Sequence, residues 1–148
     1  MGGLECPDFD PAYAQRVYEQ NATIVAVTEF GRGRTTNDNL RDISGEIHDR
    51  LVGANAKITA AYASCGCLTA DLTRAQEIIA QLCNEQCFDA AYAKTLSALV
   101  KQSQAADGLA GTRAVNTTLQ QQARFMTDRE SDWAFRLDRW VSDHGYIA

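Results

Sequence analysis

One apolar stripe constrains this chain more than anything else in it. Leu40, Ile43, Ile47, Leu51, Ala54, Ile58, Ala61 and Cys65 follow one another at steps of 3, 4, 4, 3, 4, 3 and 4. Those steps mark one face of an α-helix. At 1.5 Å per residue such a helix is a rod of roughly 40 Å. A rod with one apolar face has to bury it against other elements. The rest of the chain offers more helices of the same kind. Asp10-Pro11 predicts a start, with Asp as cap and Pro in the first turn. Tyr13, Val17, Ile24, Val27 and Phe30 follow it, and the Gly31-to-Thr36 stretch is expected to end the segment. Asn37 or Asn39 can cap the striped helix, which the Cys65-Gly66-Cys67 segment ends.

A shorter helix follows, capped by Thr69 or Asp71 and running to about Cys83, with Leu72, Ala75, Ile78, Ile79 and Leu82 on its apolar side. Asp89 is expected to cap a third long helix bearing Tyr92, Leu96, Leu99, Val100 and Ala106, weakened at its end by Gly108 and Gly111. Asn116 opens the last, with Leu119, Ala123, Met126, Trp133, Leu137 and Trp140. Two prolines in 148 residues suit this content, and no segment alternates as a strand does. The expected fold is all-α: an up-down four-helix bundle with one short extra helix, in a single domain over 1–148. Phe9-Asp10-x-Ala12-Tyr13-Ala14 matches Phe88-Asp89-x-Ala91-Tyr92-Ala93, and Asn37-x-x-Leu40 matches Asn116-x-x-Leu119. Two similar hairpins are therefore expected, over about 9–65 and 88–143, with a cysteine-bearing connector over 65–87.

Composition excludes several roles. With 14 Lys+Arg against 19 Asp+Glu the net charge is −5, the wrong sign for coating nucleic acid or anionic lipid. At 45% hydrophobic residues the chain is not of disordered type. No apolar run approaches the roughly 20 residues of a membrane span. Met1-Gly2-Gly3 is not followed by a leader, so the chain is expected to be either cytosolic or stripped of one.

The Phe88-Asp89-x-x-Tyr92 signature, with Asn39-Leu40-Arg41, Ala54-Asn55 and Asn116-x-x-Leu119, resembles a bacterial exported family of unknown function. Its members are described as predicted outer-membrane or ferritin-like proteins (domain of unknown function four-one-four-two). The resemblance covers about 9–141. It implies a ferritin-like bundle, export to the periplasm or beyond with the signal peptide removed, and no established activity. This chain departs from it where members often carry histidines, as at Lys101 and Asp132.

Four cysteines, Cys65, Cys67, Cys83 and Cys87, fall close together in the sequence. Two readings stay open. Cys65 and Cys67 can bridge to Cys83 and Cys87, worth roughly 3 kcal/mol per bridge, or the four thiolates can hold a soft metal. The export implied by the resemblance favours disulfides. Cys6 is left unassigned. A di-iron carboxylate centre needs Glu-x-x-His pairs, and none occurs around His48 or His144. The sequence therefore implies no cofactor and no catalytic constellation. Glu130 continues the apolar register of the last helix, which marks a buried carboxylate with functional use, one paired with an arginine such as Arg124 or Arg129, or one that a helix rotation exposes. Asn21, inward in the first helix, reads as an interhelical hydrogen bond. Gly31-Arg-Gly-Arg34 reads as a solvated connector, and Trp133 and Trp140 as core. The functional expectation is an exported binding or structural bundle with a cell-envelope or protein partner. The alternatives are a cysteine-based metal protein and an enzyme built on Glu130.

Overall fold

The structure, a computed structural model, describes residues 9–62 and 68–145. Five helices make up its regular structure: α1 (Phe9–Arg34), α2 (Asp38–Ala61), α3 (Thr73–Cys83), α4 (Phe88–Arg113) and α5 (Thr117–Asp143). No strand occurs among the described residues. The stripe on α2 is buried at Leu40, Ile43, Ile47, Leu51, Ala54 and Ile58. Asn37 and Asn116 cap α2 and α5 as expected, accepting from the Leu40 and Leu119 amides at 2.9 Å each. Such a cap satisfies one of the donors a helix start leaves unpaired.

Other boundaries differ from the sequence reading. α1 includes Phe9, so Asp10 is inside it, not its cap. The helix runs through Gly31 and Gly33 and ends at Arg34, within the Gly31-to-Thr36 stretch expected to end it. Gly31 sits against Tyr92, a contact that a side chain there would block. Asp89 lies in the first turn of α4, while Cys87 holds the cap position. The Asp89 carboxylate instead accepts from Thr35 Oγ1 at 2.6 Å, tying the α1–α2 turn to α4. Gly108 and Gly111 stay within α4, which runs on to Arg113.

Cross-helix contacts give the directions. Asn21 meets Asn55 and Glu29 meets His48, so α1 and α2 are antiparallel. Ser103 meets Glu130 and Ser97 meets Asp138, so α4 and α5 are antiparallel. Gln20 reaches the Leu99 carbonyl while Gly31 meets Tyr92, so α4 also opposes α1. It follows that α2 and α4 run the same way. The expected strict up-down order is thus corrected to up-down-down-up. The segment between α2 and α4 has to travel the length of the bundle, and α3 carries it along the outside of α1 and α4. Arg74 of α3 hydrogen-bonds Gln20 of α1 and Gln102 of α4.

The apolar core falls into two clusters. One is bulky, built around Tyr92, Trp133, Leu137 and Trp140. The other is made largely of small residues, Ala14, Ala106, Ala110, Ala114 and Ala123, with Ile58 and Leu119. Polar residues lie at or beside their boundary: Asn21 and Ser103 between the two, Asn55 just before Ile58, Asp107 just inside the small-residue cluster and Glu130 one turn inside the bulky one.

Candidate functional site

That polar layer is the candidate site. α1 supplies Asn21, α2 Asn55, α4 Ser103 and Asp107, and α5 Glu130. Each helix positions its residue by the same logic: the side chain falls on the helix's apolar stripe, so packing carries it inward. Asn21 is 1% exposed, Asp107 1% and Glu130 0%. Asn21 Nδ2 donates to Asn55 Oδ1 at 3.0 Å, and Asn55 Nδ2 donates to the Tyr18 carbonyl at 3.1 Å. Ser103 Oγ lies 2.7 Å from Glu130 Oε2 and 3.3 Å from Asn21 Oδ1. The expected interhelical bond of Asn21 is present, and Glu130 is buried as its register requires.

The arginine partner expected for Glu130 is not there. Arg124 Nε donates to the Gly111 carbonyl at 2.8 Å. The Arg129 guanidinium lies 5.1 Å from the Phe125 ring centroid. Among the described residues no ion pair includes Glu130 or Asp107. Glu130 faces a second carboxyl instead. Burial and a hydrogen bond to Glu130, together with repulsion from its charge, push Asp107 up to about 10. Burial raises Glu130 as well, against the opposing hydrogen bonds from Asp107 and Ser103. A low-dielectric interior disfavours charge, and two carboxylates side by side disfavour it twice. Asp107 therefore holds its proton at neutral pH, and burial biases Glu130 in the same direction. No other group donates to either Asp107 oxygen or to Glu130 Oε1.

The chain matches no family model, no curated protein and no solved structure. Its chemistry is accordingly argued from the geometry alone.

The cysteines fall outside this layer. Cys83 and Cys87 are exposed free thiols. The Arg34 guanidinium points at Cys83 Sγ from 3.8 Å. Cys6, Cys65 and Cys67 lie outside the described residues, so the bridges and the four-thiolate site expected from them do too. Among the described residues no group of three or more His, Cys, Asp and Glu is placed to share a metal. Both histidines are distant from the layer in role: His48 contacts Asp49 and Glu29, and His144 stacks on Trp140. The His-containing ligand set of a di-iron centre therefore does not fit.

Surface recesses lie elsewhere. One of about 380 Å³ is lined by Arg34, Thr36, Cys87, Phe88 and Asp89. Another of about 350 Å³ runs along α2 and α5 past Ile43, Arg136 and Trp140. No helix among the described residues is long and apolar enough to cross a membrane.

Sequence reasoning missed Asn55, Ser103 and, most consequentially, Asp107. It follows Val100 by seven positions and Ser103 by four, and that spacing was its signal.

Proposed function

We propose that this chain is an exported bundle of ferritin-like build that acts in the cell envelope by binding, not by turnover. The single observation that carries the reading is the layer of Asn21, Asn55, Ser103, Asp107 and Glu130, to which all four long helices contribute. Bundles build ligand sites in their cores from side chains on facing helices. A solvent-sealed Glu130 suits holding a ligand between helices better than acting on a substrate at the surface. The α3 crossover supports the ferritin-like part, since one long crossover distinguishes that arrangement from a simple up-down bundle. The resemblance through Phe88-Asp89-x-x-Tyr92 supports the export.

One experiment addresses both parts. Cells that make the protein are fractionated, and the chain from each fraction is weighed by native mass spectrometry. The expected result is recovery from the periplasmic or envelope fraction, with a mass above that of the chain. Recovery only from the cytosol overturns export. A bare chain from the envelope overturns the binding role. Four thiols lost in bound soft metal would move the site to Cys65, Cys67, Cys83 and Cys87.

A further inference from the structure

We propose that the layer takes one hard divalent cation, of the Mg²⁺, Mn²⁺ or Ca²⁺ class, held by Asp107, Glu130 and the Asn21 side-chain carbonyl. This deepens the binding role proposed above and rests on it.

The layer is short of hydrogens. Ser103 has a single hydroxyl hydrogen. It belongs to the shorter contact, the 2.7 Å one to Glu130 Oε2, which leaves Asn21 Oδ1 at 3.3 Å without it. Both Asp107 oxygens and Glu130 Oε1 also lack a donor from any other group. Four oxygens from three helices are thus left wanting a positive partner in a space closed to solvent. A buried polar atom without a partner destabilises the fold.

Two occupants can supply that partner. Two protons go part of the way. Asp107 then donates to Glu130 Oε1, Glu130 donates to Ser103, and Ser103 turns its hydrogen to Asn21 Oδ1. The second Asp107 oxygen remains without a donor. One divalent cation goes further. Bound by the Asp107 carboxylate, Glu130 Oε1 and Asn21 Oδ1, with water entering beside it to complete its shell, it leaves Ser103 donating to Glu130 Oε2 as observed. Its two charges also cancel those of the two carboxylates. Nothing else on the packed elements does so: α1 and α2 present the neutral Asn21 and Asn55, α4 presents Ser103, and Arg124 is committed to the Gly111 carbonyl. All-oxygen ligands select hard ions over zinc or copper. The proton that Asp107 holds leaves as the ion enters.

The test uses the purified chain, stripped with chelator and equilibrated with Mn²⁺ long enough for local opening of the helices. Free Mn²⁺ is followed by electron paramagnetic resonance, and proton release by calorimetry in two buffers of different ionisation enthalpy. The expected result is one Mn²⁺ per chain, bound with proton release at neutral pH. Asp107→Asn and Glu130→Gln, which preserve shape, should each weaken binding at least about tenfold, with circular dichroism unchanged. Cys83→Ser/Cys87→Ser should bind Mn²⁺ as the parent does. Absence of Mn²⁺ binding, binding without proton release, or binding that survives in both carboxyl variants overturns the proposal. Should the carboxyl variants fail to fold, the parent's stoichiometry and proton release still decide. A failure here with a ligand still found on the envelope-derived chain leaves the broader binding role in place, whereas a bare envelope-derived chain removes that role.

Discussion

Gly31 lies beneath the ring of Tyr92 so closely that a Cβ on it would fall 2.1 Å from Tyr92 Cε1 and Cζ. Tyr92 cannot retreat easily. It is 0% exposed, its ring stacks on Phe88 at 5.4 Å between centroids, and its hydroxyl lies 2.7 Å from Ser44 Oγ. This contact locks α1 to α4 and, through Ser44, to α2.

Gly31→Ala therefore sets two effects against each other. Alanine gains about 1 kcal/mol of helix propensity over glycine. Overpacking against a fixed ring costs typically about 1–3 kcal/mol, and a 2.1 Å approach places this site at the upper end. The expected outcome is a net loss of about 2 kcal/mol, read from the urea midpoint at constant m-value. Gly33→Ala is the control, since its Cβ meets nothing within 4 Å. It should gain stability. If both variants gain, the Gly31–Tyr92 contact is not tight.

Asn37 and Asn116 cap α2 and α5 alike, by accepting from the Leu40 and Leu119 amides. Asn37 also accepts from Trp140 Nε1 at 3.1 Å. Asn37→Ala removes both of its bonds and should cost about 2 kcal/mol, against about 1 kcal/mol for a cap alone. A loss of only about 1 kcal/mol in denaturant unfolding would mean that the indole bond contributes nothing.

These caps were legible in the sequence because an N-cap is a local device: the residue, its amide acceptor and the following stripe all lie within one turn. The stripes of α2 and α5 were legible for the same reason. Direction was not. Whether α4 runs with or against α2 depends on how far the connector travels, and nothing local to α3 encodes that. Asn21 and Glu130 could be placed inward from register alone. Their partners could not, because Ser103 and Asp107 come from another helix. Arg124 and Arg129 were near Glu130 in sequence, but one reaches the Gly111 carbonyl and the other a phenyl ring. Asp107 was missed because an acid beside Ala106 resembles the polar edge of a stripe, although it lies within the stripe.

Glu46 is the outward counterpart of the buried pair. Its Oε2 accepts from Trp133 Nε1 at 2.7 Å and from Arg136 Nη1 at 2.8 Å. Burial pulls its carboxyl upward, but those two bonds and the Arg136 charge outweigh it, and the net shift is downward. Glu46→Ala removes the acceptor of a buried indole and should cost about 1–2 kcal/mol, after discounting the half-exposed ion pair with Arg136. Glu46→Gln keeps an acceptor and should cost less than half as much. Trp133 fluorescence should shift in the alanine variant and hardly at all in the glutamine variant. An identical loss in both would assign the effect to charge alone.

The pH dependence of stability should carry opposite contributions from these two kinds of carboxyl. For Glu46 and Asp138 the folded values lie below the unfolded ones. Their stabilisation is present above the unfolded values and is lost as pH falls through the folded ones. For Asp107 and Glu130 the folded values lie above the unfolded ones. Below about pH 4 both states hold these protons, and the pair costs nothing extra. As pH rises from there, the unfolded chain releases protons that the folded chain keeps. Stability then falls with pH, by up to about 1.4 kcal/mol per pH unit for each retained proton, until the folded groups themselves ionise. Asp107→Asn and Glu130→Gln remove a titrating group while keeping the shape. Relative to the parent, Asp107→Asn should therefore gain stability progressively between about pH 5 and pH 9, measured in chelator by urea midpoints, and Glu130→Gln should gain in the same direction. The gain should be smallest at the acid end. Parallel curves for parent and variants across that range would show that the two carboxyls are ionised in the folded chain. Excess Mn²⁺ should flatten the parent's fall, because a bound ion takes the place of the retained protons.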